Sequence, residues 1–160
     1  MSQPQTNEFR SRFGEGPHVL GAVTLLARLA QEQIAANLTD FGLTFSQAVA
    51  MVRLWQTDDG SISQSDMIEK LAVSRASGSL VLTELATLGL LTRSSDPADA
   101  RRQIVRLTER GREIEPAVHA VFESVEAELF APIDSEEWWT AYRQLRSAID
   151  KLVAGRSTPR

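Results

Sequence analysis

The sequence predicts a mainly α-helical fold with one small β-hairpin, and three observations carry that prediction. Apolar residues recur at three- and four-residue spacing from Val19 to Ile34, from Ile114 to Leu129 and from Trp138 to Leu152, the pattern of long amphipathic helices. Between these stretches, Ser63 and Ser74 are both hydroxyl residues suited to capping helix starts, so a short helix and a longer one meet across a tight turn. Two β-prone runs, Leu90–Arg93 and Val105–Leu107, then flank a segment of turn composition, Ser95-Asp96-Pro97-Ala98-Asp99.

Length and composition bound what the chain can be. Its 160 residues suit one domain, which at this size buries about 70% of the unfolded chain's surface. An apolar content of 42% and a charged content of 24% are ordinary for a globular protein. The absence of cysteine excludes disulfides, thiolate metal sites and cysteine-based oxidation sensing together. The formal net charge of −4 is unevenly spread. Between Gly89 and Arg112, Arg93, Arg101, Arg102, Arg106, Arg110 and Arg112 outnumber Asp96, Asp99 and Glu109, whereas from Glu113 to Asp150 nine acids face only Arg143 and Arg146. A polyanion is therefore drawn to the hairpin and held away from the C-terminal end. His18 and His119 lack metal-ligand spacing, and the chain has no G-x-S-x-G, no S-x-x-K and no phosphate-cradling glycine loop. The expectation is a protein that is not an enzyme and holds no metal or cofactor.

In order along the chain, residues 1–15 are polar, irregular and without an apolar h-region, so they read as a flexible arm and not a signal peptide. Residues 16–155 read as one domain. The first helix runs from Pro17, a favoured residue at helix starts, to about Asn37, with Val19, Leu20, Val23, Leu26, Ala30 and Ile34 in a stripe. Arg28 interrupts its apolar run, which is too short to span a membrane, and a cytoplasmic protein is expected. Asp40-Phe41-Gly42 breaks it. Thr44 starts a helix through Val49, Val52, Leu54 and Trp55, ended by Asp58-Asp59-Gly60, and Ser61-Ile62 can supply a third strand. Ser63 with Asp66 at the third helical position opens a helix bearing Met67, Ile68 and Leu71. Ser74 opens the next, with Leu80, Val81, Leu85 and Leu88 as its stripe and Gly89 as its stop. In the hairpin, Val105-Arg106-Leu107 alternates inward and outward. Thr108 caps a helix carrying Ile114, Val118, Val121, Phe122, Val125 and Leu129, with Pro116 either kinking its first turns or beginning its regular part. Pro132-Ile133 and Asp134-Ser135 close it. Trp138, Tyr142, Leu145, Ile149 and Leu152 line the last helix, spaced as a seam for another helix, which ends at Gly155.

Two helices across a turn followed by a hairpin make a winged helix-turn-helix. The first turns of its second helix offer Ser74, Arg75, Ser77, Gly78 and Ser79: small hydrogen-bonding residues, one arginine, and a glycine through which a backbone can approach closely. The run Leu88-Gly89-Leu90-Leu91, then Asp96 to Gly111 with D-x-R at Asp99-Ala100-Arg101 and V-x-L-T-x-x-G from Val105, resembles the signature of the multiple antibiotic resistance regulator (MarR) family. The resemblance extends through the helical flanks over nearly the whole chain. Two positions depart from it: Ala72 stands where the turn often has glycine, and Leu80 where the recognition helix often has a basic residue.

The resemblance implies a homodimer with a DNA-binding lobe at about 44–110, dimerisation helices at about 17–37 and 111–155, and a ligand cavity between them. Apolar stripes that the short central unit cannot cover point to the same twofold dimer, with Val23, Val121, Val125, Trp138, Tyr142, Leu145 and Ile149 at its interface. Ser74, Arg75, Ser77, Gly78 and Ser79 would enter the major groove of double-stranded DNA. Arg101 would reach the minor groove, oriented by Asp99, with Arg93 and Arg102 on phosphates. Met51 and Trp55, one turn apart, mark where a pocket for a small aromatic or amphiphilic effector would open. The expected function is a dimeric repressor on a near-palindromic operator, released by that effector; the alternative is a winged-helix protein-interaction module without DNA binding.

Overall fold

The computed structural model describes residues 19–131 and 134–156. The readings of residues 1–15, Pro17, His18 and Pro132-Ile133 fall outside them. Among the described residues the elements follow in order: helix α1 (Val19–Asn37), a 3-10 turn (Thr39–Phe41), α2 (Phe45–Trp55), strand β1 (Ser61–Ser63), α3 (Gln64–Leu71), α4 (Arg75–Thr87), β2 (Leu91–Ser95), β3 (Gln103–Leu107), α5 (Glu109–Glu113), α6 (Glu115–Phe130) and α7 (Ser135–Arg156). The fold is mostly helical with a three-stranded antiparallel sheet in the order β1-β3-β2, a winged helix.

Helix starts follow side-chain chemistry. Thr44 and Gln47 form a complete capping box at α2, and the hydroxyls of Ser63, Ser74 and Thr108 accept from the amides of Asp66, Ser77 and Gly111 at α3, α4 and α5. Gly42 ends the 3-10 turn in the left-handed region. Ala72 closes α3 at φ 55°, so the turn keeps left-handed geometry without glycine and carries the steric cost of a Cβ there. The stretch after Thr108 divides instead of kinking. Ile114 separates α5 from α6, and Pro116 lies in the first turn of α6, where its missing N–H has no helical partner to lose. Helix α7 runs past Gly155 to Arg156.

The core is one cluster, with Leu38, Met51, Leu54, Met67, Leu82, Leu85, Leu91, Val105 and Val118 fully buried. Ser61, Ile62 and Ser63 of β1 face Arg106, Val105 and Ile104 of β3, while Leu91 and Arg93 of β2 face Leu107 and Val105. This register sends Val105 and Leu107 inward. Beyond them, the Thr108 hydroxyl donates to the Gly89 carbonyl (2.7 Å) while accepting from Gly111 N–H (3.0 Å), and the Trp55 indole donates to the Gly111 carbonyl (3.0 Å). A Cβ at Gly111 would overlap the Leu90 carbonyl oxygen. The V-x-L-T-x-x-G run is thus the joint that fixes the wing to the helices.

Two stripes differ from the sequence reading. The buried face of α4 is Gly78, Leu82 and Leu85, with Leu80 58% exposed, because Gly78 packs against Ile68 of α3 and Leu80 lies on the opposite side of the helix. Val125, expected between two chains, is buried within this one, and Val121 packs on the same core, because α6 lies against α1 and α2. The exposed apolar residues gather elsewhere. Leu20, Val23, Leu25, Leu26 and Leu29 of α1 and Trp139, Tyr142, Leu145, Ile149 and Leu152 of α7 are all open to solvent. Trp138 alone of that seam is half-buried, stacked on Phe130 with ring centroids 3.9 Å apart. No helix among the described residues is long and apolar enough to cross a membrane.

Candidate nucleic-acid interface

Three elements meet in a groove of about 370 Å³ lined by Gln64, Ser65 and Ile68 from α3, Arg75 from α4, and Asp99, Arg101, Arg102 and Gln103 from the wing. It brings together Arg75, Asp99, Arg101 and Arg102, which the sequence reading had chosen from two separate stretches. Gln64, Ser65 and Gln103 were missed. Their signal was positional: the first two follow the Ser63 cap directly, and Gln103 opens β3.

The wing tip is ordered by its aspartates. Asp96 N–H donates to the Arg102 carbonyl (2.8 Å) and Arg102 N–H to the Asp99 carbonyl (2.8 Å). The Asp99 carboxylate accepts from the Arg101 backbone N–H (3.0 Å) and the Asp96 carboxylate from Ala98 N–H (2.9 Å). Asp99 therefore sets the backbone that carries Arg101, through its hydrogen bond with the Arg101 amide. Arg101 and Arg75 form no ion pair among the described residues.

Arg93 and Arg102 have other partners. Arg102 lies 2.8 Å from the Asp66 carboxylate, which latches the wing to α3. Hydrogen bonding with Ser63, then the Arg102 guanidinium, hold the Asp66 carboxyl below the usual aspartate range. Arg93 donates to the Thr83 hydroxyl (2.8 Å) and to Gln64 Oε1 (2.6 Å), tying β2 to both α4 and α3. Its partners are neutral, so its charge stays uncancelled while its direction is fixed. At the far edge of the sheet Asp59 bonds the Ser61 hydroxyl (2.7 and 2.8 Å) and pairs with Arg106 (3.4 Å), which lowers its carboxyl in that order of effect.

On α4, Ser74 and Ser77 are exposed and their hydroxyls bond each other (2.8 Å), with Ser79 half-buried behind them. Gly78 does not face outward. A Cβ there would stand 2.8 Å from Ile68 Cγ1, so the glycine is what allows α4 to cross α3 closely. Met51 and Trp55 are packed within this chain. Met51 is fully buried, and Trp55 is held by its bond to Gly111 and by the His119 ring, with centroids 5.4 Å apart.

The model of the MarR family matches residues 43–102, the stretch that contains this groove. That stretch is a MarR-family domain. Outside it, the MarR likeness is one of fold. A MarR transcriptional regulator from Methanosarcina mazei Go1 superposes with a TM-score of 0.78 at 22% identity, over 85% of this chain and 96% of that one. Sco3205, a MarR family transcriptional regulator from Streptomyces coelicolor solved in complex with DNA, gives 0.75 at 18% identity, over 87% and 93%. In sequence, the uncharacterized HTH-type transcriptional regulator YdgJ of Bacillus subtilis (strain 168) is 31% identical over 96 residues, 60% of this chain. The chain spans 57% of that relative's length.

Proposed function

We propose that this chain is a sequence-specific DNA-binding transcriptional regulator, acting as a homodimeric repressor. The observation that carries the reading is the groove between α3, α4 and the wing, where Arg75 and Arg101 stand without an ion-pair partner among the described residues, beside exposed serine hydroxyls. A duplex laid along it meets the start of α4 in the major groove and Arg101 in the adjoining minor groove, with Arg93 held at a fixed angle for a phosphate. Arg102 acts first as the latch to Asp66. The structure of Sco3205 with DNA supports the use of this fold on a duplex. The exposed apolar faces of α1 and α7 support a dimer, which would set two half-sites about one helical turn, ~34 Å, apart on a near-palindrome. Release by a small organic effector belongs to the same reading, with a pocket near Met51 and Trp55 at the junction of the DNA-binding lobe and the dimerisation helices.

A second reading, a protein-interaction module, is favoured by one feature: Val73 and Leu80 expose apolar surface beside the first turns of α4. A gel shift of the purified chain with the DNA upstream of its own gene separates the two. A discrete complex that survives excess unrelated duplex is expected; no retardation at low salt would remove DNA binding and leave the second reading.

A further inference from the structure

We infer that Leu80 is a specificity-determining residue that reads a thymine methyl group in the major groove. The inference rests on the DNA-binding reading above and adds to it what the recognition helix recognises. Gly78, Leu82 and Leu85 fix the buried face of α4, and at about 100° per residue Leu80 lies on the opposite side, 58% exposed. Its neighbours on that outward face are the exposed Ala76, Ser77 and Thr83. Some of the polar groups around it are engaged within the chain. Ser74 and Ser77 share a hydrogen bond, and the Thr83 hydroxyl donates to the Ser79 carbonyl (2.8 Å) while accepting from Arg93. Arg75 and the serine hydroxyls are the polar readers, and Leu80, Ala76 and Thr83 form a small, less polar ridge about one turn further along. The thymine C5-methyl is the one apolar group that a base edge presents in the major groove. The occupant of this ridge is therefore an A·T pair one turn along α4 from the pair that Arg75 meets. Arg93, held on Thr83 beside it, complements the backbone of the same duplex.

The test begins by selecting bound sequences from random duplexes with the full chain. Each thymine of the selected site is then replaced by deoxyuridine, which removes the methyl and nothing else. One position in each half-site should lose affinity roughly four-fold per methyl. Leu80→Ala should bind the thymine and deoxyuridine duplexes equally, with its melting temperature and salt dependence unchanged, since the side chain is exposed. Indifference of the unaltered protein to every deoxyuridine, or a methyl dependence that persists in Leu80→Ala, would overturn the assignment while leaving DNA binding intact. If selection enriches no sequence and no duplex binds at low salt, the regulator reading itself fails and this assignment falls with it.

Discussion

Replacing Gly78 by alanine sets two known effects of opposite sign against each other. Alanine is about 1 kcal/mol better than glycine in a helix interior, so an open site would be stabilised. Here the new Cβ would stand 2.8 Å from Ile68 Cγ1, 3.2 Å from Cγ2 and 3.3 Å from Cβ, against an optimum of about 3.5–4.0 Å for carbon pairs. Ile68 is β-branched and sits on a helix, so its χ1 is stiff and the strain is taken up by the α3–α4 crossing. Overpacking of this kind costs about 1–3 kcal/mol, which leaves a net loss of roughly 0–2 kcal/mol. The sharper prediction is the dependence on the partner. In an Ile68→Ala background Cγ1 and Cγ2 are gone and only the Cβ at 3.3 Å remains, so Gly78→Ala should turn stabilising by up to about 1 kcal/mol. Urea unfolding of the four proteins measures this as midpoint shifts at constant slope. Gly78→Ala that stabilises the unaltered chain, or that costs the same in both backgrounds, would refute the argument that this glycine serves the crossing.

Gly111→Ala meets backbone instead of a side chain, since its Cβ would overlap the Leu90 carbonyl oxygen; it should cost more than about 3 kcal/mol and lower the thermal midpoint accordingly. Asp66 has its carboxyl depressed in the folded state, so it contributes stability above the unfolded aspartate range that is lost as pH falls below about 4 through the folded value. Asp66→Asn should therefore flatten the acid limb of a stability-against-pH curve, and an unchanged limb would show that the latch carries no linkage. Leu145→Glu with Ile149→Glu should leave helix content unchanged by circular dichroism, because both side chains are exposed in the single chain. The pair should convert a dimer to a monomer in sedimentation at micromolar concentration, and a monomeric mass for the unaltered chain would defeat the dimer.

The fold was largely legible because each boundary is written in local chemistry: four hydroxyl caps, Gly42, and the alternation at Val105 to Leu107. Ala72 was legible as a difficulty and not as an outcome, because whether an alanine accepts φ 55° is decided by the packing of α3 on α4. At the groove, the cluster of arginines was visible but their division of labour was not. Arg102 differs from Arg101 only in what lies opposite, and Asp66 is 36 residues away in sequence. Gly78 and Leu80 exchanged roles for a similar reason, since composition alone shows a glycine as an open surface and a leucine as core. The rotation of α4 about its axis assigns each of them. The packing of Trp55 was not legible because its partners, Gly111 and His119, follow more than fifty residues later.

The central claim is that the wing and the start of α4 together grip a duplex, and the salt dependence of binding for the unaltered chain and Arg101→Ala tests it most directly. Affinity for a selected duplex, measured by fluorescence anisotropy from low to moderate ionic strength, should fall linearly on a log-log plot. Arg101→Ala should weaken binding across sequences and flatten that slope by about one unit per half-site, or about two for a dimer on both. An Arg101→Ala protein with the affinity and slope of the unaltered chain would contradict the claim.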